Sequence, residues 1–145
     1  MLLDPSEFQH TRAVLLNTDL DALSAAMTRL HFGEGPETLP RELRVQLEDL
    51  GWTDPGTGAL SERGWFAADC CREYHFWTER DHRLPFEAEA PDLVRDAFRG
   101  KSVLEVGCGS GTNLMSLNDT TREIVGLEPL GIYRQIGSIF AEAHG

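Results

Sequence analysis

The residues of this sequence best suited to chemistry are an acid followed by three alternating glycines, Glu105-x-Gly107-x-Gly109-x-Gly111, and a further acid at Glu128. A glycine turn between a strand and a helix lets backbone atoms come close to a ligand, because no Cβ stands in the way. Dinucleotide-binding turns follow G-x-G-x-x-G or G-x-G-x-x-A. That spacing fails here in both registers. Counted from Gly107 the third position is Thr112, and counted from Gly109 it is Leu114.

The elements that must position these residues follow from the local pattern. Ser102–Val106 reads as a short buried strand, Gly107–Gly111 as the turn, and Thr112–Leu117 as the opening of a helix. Asn118–Thr121 is a loop, Glu123–Glu128 a second strand ending on its acid, and Ile132–Ala143 a last helix. Strand, helix, strand, helix is the opening of a parallel α/β sheet.

The segment before Lys101 reads as helical. Asp4-Pro5-Ser6-Glu7 is a helix start, with an Asp cap, Pro in the first turn and Glu after it. That helix runs to about Leu16, and Thr18 with Asp21 caps a second one reaching about His31. Gly33-Glu34-Gly35-Pro36 breaks it. A third helix covers Pro40–Leu50, with Leu43, Leu47 and Leu50 on one face and Gly51 as its stop. The Asp54-Pro55-Gly56 turn sits between two very short strands. A longer helix spans Ser61–Arg80 with Trp65, Phe66, Cys70, Tyr74 and Trp77 as its apolar stripe, and Pro91–Phe98 is a short one. The expected organisation is a helical N-terminal domain over 1–90 and a partial ligand-binding α/β domain over 91–145.

Charge and composition narrow the function. With 24 acidic against 13 basic side chains the net charge is −11, and Lys101 is the only lysine. Phosphate binding needs clustered Lys and Arg, so no nucleic-acid partner is expected. No apolar run approaches the roughly 18 to 20 residues that span a bilayer, and Met1-Leu2-Leu3-Asp4-Pro5 lacks the basic region and long apolar stretch of a signal peptide. Three cysteines, Cys70, Cys71 and Cys108, form no disulfide framework and suit a reducing compartment. The expectation is a cytoplasmic protein without a membrane partner.

Val103-Leu104-Glu105-Val106-Gly107-Cys108-Gly109-Ser110-Gly111-Thr112 resembles the first signature motif of the class I S-adenosylmethionine-dependent methyltransferases. The resemblance implies a Rossmann-like fold and S-adenosyl-L-methionine as cofactor. It implies that the glycine turn passes under the methionine part of that cofactor, that Glu105 lies near its ammonium group, and that Glu128 binds both ribose hydroxyls. Hydrogen bonds to a charged acceptor are worth about 1.5 to 3 kcal/mol each, so Glu128 would carry much of the affinity.

The likeness covers the two strands and two helices after Lys101. Leu43–Gly64, ending in Leu60-Ser61-Glu62-Arg63-Gly64, resembles the winged-helix module that several methyltransferases carry for dimerisation and for closing over substrate. A homodimer is therefore a partner the resemblance implies. The family's sheet usually has seven strands, its adenine pocket follows the third, and its catalytic residues follow the fourth. The expectation is thus the N-terminal part of a methyltransferase, truncated after the second strand, with an unidentified methyl acceptor and no assigned catalytic residue or metal. The alternative is a non-catalytic remnant acting as a dimerisation or interaction module.

Other candidates carry a plainer reading. Tyr74-His75-Phe76-Trp77 reads as a helix packing aromatics into a core, and His75, His82 and Asp81 as a solvated helix end rather than metal ligands. Adjacent Cys70 and Cys71 cannot face one way on a helix and read as buried thiols. Cys108 occupies a small-residue position of the turn with no nucleophilic role, and His10, His31 and His144 have no motif around them.

Overall fold

Capping residues set where the first helices begin. In the structure, a computed structural model that describes residues 2–85, 87 and 89–144, helix α1 covers Pro5–Leu16. Asp4 Oδ1 accepts from the amides of Ser6 (2.8 Å) and Glu7 (3.0 Å). Helix α2 covers Leu20–His31, and its cap is Asp19, which accepts from the Ala22 amide at 3.2 Å. Thr18, expected in that role, instead donates its hydroxyl to the Val14 carbonyl at 2.7 Å. Two neighbouring cap-type residues compete here, and the carboxylate is the stronger acceptor.

The chain is α/β and mostly helical, with seven α-helices and one two-stranded parallel sheet among the described residues. It divides into two compact units, Met1–His75 and Phe76–Gly145. The division falls inside a helix, whereas the sequence places it at 90/91. Met1 and Gly145, which bound the expected domains, lie outside the described residues.

In the first unit a single turn of 3-10 helix at Pro36–Thr38 leads to helix α3, Arg41–Asp49. The two expected short strands reduce to one antiparallel bridge, Thr53 with Leu60. Asp54 Oδ1 holds that turn by accepting from the Gly56 and Thr57 amides at 3.0 and 2.8 Å. Helix α4, Glu62–Thr78, follows. The Ser61 hydroxyl accepts from the Gly64 amide at 3.0 Å and donates to the Gly51 carbonyl at 2.7 Å. The core of this unit gathers Leu15, Met27, Leu47, Trp52, Phe66 and Cys70, all fully buried. Phe8 meets Phe66 edge-on with ring centres 6.0 Å apart. Trp65, expected in the buried stripe of α4, is exposed.

In the second unit α4 ends with Trp77 stacked on Phe140, ring centres 6.3 Å apart. Its indole N–H donates to Ser116 Oγ at 3.0 Å. The tip of α4 therefore belongs to this core, which is why the division lies upstream of residue 90. The helix stops at Thr78 because Asp81 and His82 adopt left-handed φ of 54° and 57°. Helix α5 (Pro91–Phe98), strand β1 (Ser102–Val106), helix α6 (Thr112–Met115), strand β2 (Glu123–Leu127) and helix α7 (Gly131–His144) complete it. β1 and β2 pair in parallel, from Ser102 with Glu123 to Val106 with Leu127. No helix among the described residues is long and apolar enough to cross a membrane.

The close approach of α4 to the Trp52 backbone makes the first unit sensitive at one position. A Cβ on Gly64 would lie far inside contact distance of the Trp52 carbonyl, a backbone atom that cannot swing aside. Gly64→Ala should therefore lower stability by about 1 to 3 kcal/mol, read as a shift of the urea midpoint.

The second unit holds a buried acid, Glu87, which accepts from the Leu84 amide at 3.0 Å and from Arg95 Nε at 2.6 Å. Burial works to raise its pKa, but the Arg95 and Leu84 hydrogen bonds and the charge of Arg95 outweigh it and hold the carboxyl below its ordinary 4.5. The folded state thus binds this proton more weakly than the unfolded chain, so the stabilisation is complete above that ordinary value and drains away as pH falls through the lowered one. Glu87→Gln should cost about 1 to 3 kcal/mol at neutral pH. Urea melts at falling pH should show the gap between variant and wild type closing below pH 4.5.

Candidate functional site

The turn after β1 is built against the end of β2. The Leu127 carbonyl accepts from the Gly107 amide at 2.7 Å and from the Cys108 amide at 3.3 Å, so the ladder continues past the strand and the chain then lifts away. Gly107, Gly109 and Gly111 take left-handed φ of 75°, 57° and 79°. A Cβ at any of the three would meet nothing within 4 Å. Glycine is required here by backbone conformation, and the space beside the turn stays open to a ligand.

Glu128 closes the arrangement. Its Oε2 accepts from the Gly109 amide at 2.9 Å and its Oε1 from the Leu130 amide at 2.7 Å. Arg134 Nη1 donates to the carbonyls of Glu128 (2.6 Å) and Pro129 (2.7 Å), tying the start of α7 to the same corner. A pocket of about 320 Å³ lies beside the turn, lined by Gly109, Gly111, Gly126, Glu128, Tyr133 and Arg134 among others. That volume is at the small end of ligand sites.

Glu105 lies elsewhere. It faces a neighbouring cavity of about 200 Å³ shared with Val103, Asn113, Leu114 and Leu117. Its Oε1 accepts from Asn113 Nδ2 at 3.0 Å, while its Oε2 is shut off from solvent and has no hydrogen-bond partner. Of the five residues expected to form one site, Gly109, Gly111 and Glu128 share a pocket, Glu105 lines the next one, and Gly107 lines neither.

No protein-family model, curated protein or solved structure matches this chain.

Geometry therefore carries the functional reading. Two carboxylates, Glu105 and Glu128, act on Cys108 in the turn, and the guanidinium of Arg134 lines the pocket beside Glu128. Burial first, and then the charges of Glu105 and Glu128, push that thiol above its ordinary value, so it stays protonated and is no nucleophile at neutral pH. Carboxylates at a glycine turn repel a pyrophosphate and attract a ligand that is cationic or rich in hydroxyls. Cys70 and Cys71 are buried free thiols, and burial drives Cys71 up to about 12.

Sequence reasoning missed Gly126, Asn113, Tyr133 and Arg134. A Cβ on Gly126 would stand 2.6 Å from Cys108 Sγ and 2.8 Å from Leu114 Cδ1, so β2 needs glycine where the turn crosses it. A glycine inside an apolar strand is the available signal for such an approach. Of the aromatic run, Tyr74 and Trp77 are buried as expected, but Phe76 is exposed. His31 packs edge-on to Trp65, with its Nε2 2.9 Å from Arg72 Nη1. Among the described residues no three His, Cys, Asp or Glu side chains are grouped to hold a metal.

Gly111 separates conformation from packing. An alanine there meets open space, so only the left-handed backbone is penalised, at about 1 to 2 kcal/mol. Gly111→Ala should lower stability by that amount, read from a lowered urea midpoint, while leaving the far-ultraviolet circular dichroism unchanged.

Proposed function

We propose that this chain binds S-adenosyl-L-methionine and is the cofactor-binding part of a class I methyltransferase with a Rossmann-like domain. One observation carries the reading: a strand, a left-handed glycine turn and a second parallel strand followed at once by an acid, Glu128, that is bonded to the turn through the Gly109 amide. The residues suit this ligand. An oxygen of Glu105 lacks a partner, as an ammonium group requires. The turn carries open space at each glycine.

On this reading Glu128 accepts from the ribose hydroxyls, and its carboxylate is already oriented by two backbone amides, so little freedom is lost on binding. Glu105, which lines the adjoining cavity and not the Glu128 pocket, would pair with the ammonium group where the two cavities join, with Asn113 holding its other oxygen. Gly107, Gly109 and Gly111 keep the backbone clear. The bound cofactor supplies an electrophilic methyl carbon on a sulfonium, and transfer to an acceptor relies on orientation and proximity. The order α3, a turn closed by the Thr53–Leu60 bridge, and α4 supports the winged-helix likeness of 43–64. The methyl acceptor and the catalytic residues are not assigned.

A second reading, a non-catalytic interaction module, is favoured by the outer sheet face. Leu104, Val106, Val125 and Leu127 pair across the strands there and are 61, 76, 44 and 52% exposed. Parallel sheets are ordinarily covered on both faces.

Calorimetric titration with S-adenosylhomocysteine separates the two. Saturable one-to-one heat, weakened at least tenfold by Glu128→Ala, is the expected result. Absence of heat and of any thermal shift at millimolar ligand, together with concentration-dependent self-association, would favour the module.

A further inference from the structure

A second cluster lies on the far side of α6 from the glycine turn, and its two histidines have no part in the reading above. Trp77, His82, Met115, Asn118 and His144 line a cavity of about 180 Å³. They arrive from four places: the tip of α4, the left-handed pair Asp81–His82, the end of α6 with the turn after it, and the last residue of α7. Trp77 forms the wall. The His82 and His144 rings stand roughly perpendicular to it, with ring centres 4.5 and 5.2 Å away.

The two imidazoles have ring centres 6.5 Å apart. A metal–nitrogen bond of about 2.0 to 2.1 Å, extended by about 1.1 Å from nitrogen to ring centre, places each ring about 3.2 Å from the ion. Two rings on one ion are then about 5 Å apart at a tetrahedral angle and about 6.4 Å apart when opposed. Ring centres 6.5 Å apart lie at the opposed limit, so the two imidazoles can share one ion only in a near-linear arrangement, which suits an ion that accepts few ligands. The lining holds no carboxylate and no thiolate. Its third donor is the thioether of Met115, a soft ligand that selects monovalent copper over the harder divalent ions. A neutral donor set also suits a singly charged ion, and the carbonyl end of α7 beside His144 favours a cation.

We propose that His82, His144 and Met115 bind one Cu(I) ion against the Trp77 wall. The Asp81–His82 backbone turns the first imidazole toward the cavity, and residues of its type tolerate the left-handed region better than most. The site is open to solvent, as befits an ion received from and passed to another ligand. Met115 lines both this cavity and the pocket beside the turn, while His82 and His144 line this cavity alone of the two.

The test is an anaerobic titration of the full chain with Cu(I) in ascorbate, in competition with bicinchoninate, following Trp fluorescence. It is run in wild type and in Cys108→Ser, because Cys108 is the least buried of the three free thiols. One equivalent should bind and quench the fluorescence, equally in both. His82→Asn, His144→Asn and Met115→Leu, the last nearly volume-conserving, should each weaken binding at least tenfold with unchanged circular dichroism. Undiminished affinity in the folded variants would overturn the assignment, as would loss of binding in Cys108→Ser or displacement by equimolar Zn(II). Should the variants not fold, X-ray absorption of the copper-loaded wild type decides: nitrogen donors with one sulfur support the site, and sulfur donors alone overturn it.

Discussion

The glycine turn depends on where β2 ends. Leu127 gives its carbonyl to two successive amides of the turn, and the next residue gives its carboxylate to a third. With Leu127 in register with Val106, the turn begins one residue past the last rung and cannot slide. A shift of one residue would send Glu128 to the other face of the sheet, since side chains alternate along a strand. The parallel ladder, only five residue pairs long, thus sets both the position of the turn and the direction of its acid.

The same sheet explains the unevenness of the second unit. Its inner face carries Val103, Glu105 and Ile124, half-buried toward the helical side, while its outer face presents four exposed aliphatic residues. At roughly 25 cal/mol per Å² of apolar surface, covering such a face is a substantial source of free energy. The proposed methyltransferase reading and the module reading both draw on that energy. They differ in whether the covering layer belongs to the same domain.

Most of this framework is legible in the sequence. The strands at Ser102–Val106 and Glu123–Leu127 are short apolar runs bounded by polar residues and glycine, although β1, expected to be buried, alternates between exposed and half-buried residues, and the Asp4-Pro5 start is a strong local signal. What could not be read is non-local or ambiguous. Thr18 and Asp19 are both cap-forming residues, and only the folded helix shows which one caps α2. Helix α4 is apolar on several sides, so its periodicity could not say that Trp65 and Phe76 face outward while Phe66 and Trp77 are buried. The Trp77 hydrogen bond to Ser116 and its stacking on Phe140, the Asn113 bond to Glu105 and the nearness of His82 to His144 join residues that are apart in sequence. No pattern of spacing announces them.

The two acids beside the turn are held in different states, and that difference bears on what the site can recognise. Glu128 has both oxygens engaged by backbone amides, so it is a preorganised acceptor with lone pairs to spare for hydroxyl donors. Glu105 has one oxygen engaged and one buried without a partner. An unsatisfied buried acceptor costs about 1 to 3 kcal/mol, more when charged, and that cost is relieved when a donor arrives. A cationic donor relieves it best, because it also compensates the charge. An anionic ligand such as a pyrophosphate would add to the repulsion at both acids. The glycine turn by itself is compatible with either kind of ligand; the carboxylates on its two sides turn the preference toward a cation that also carries hydroxyl groups.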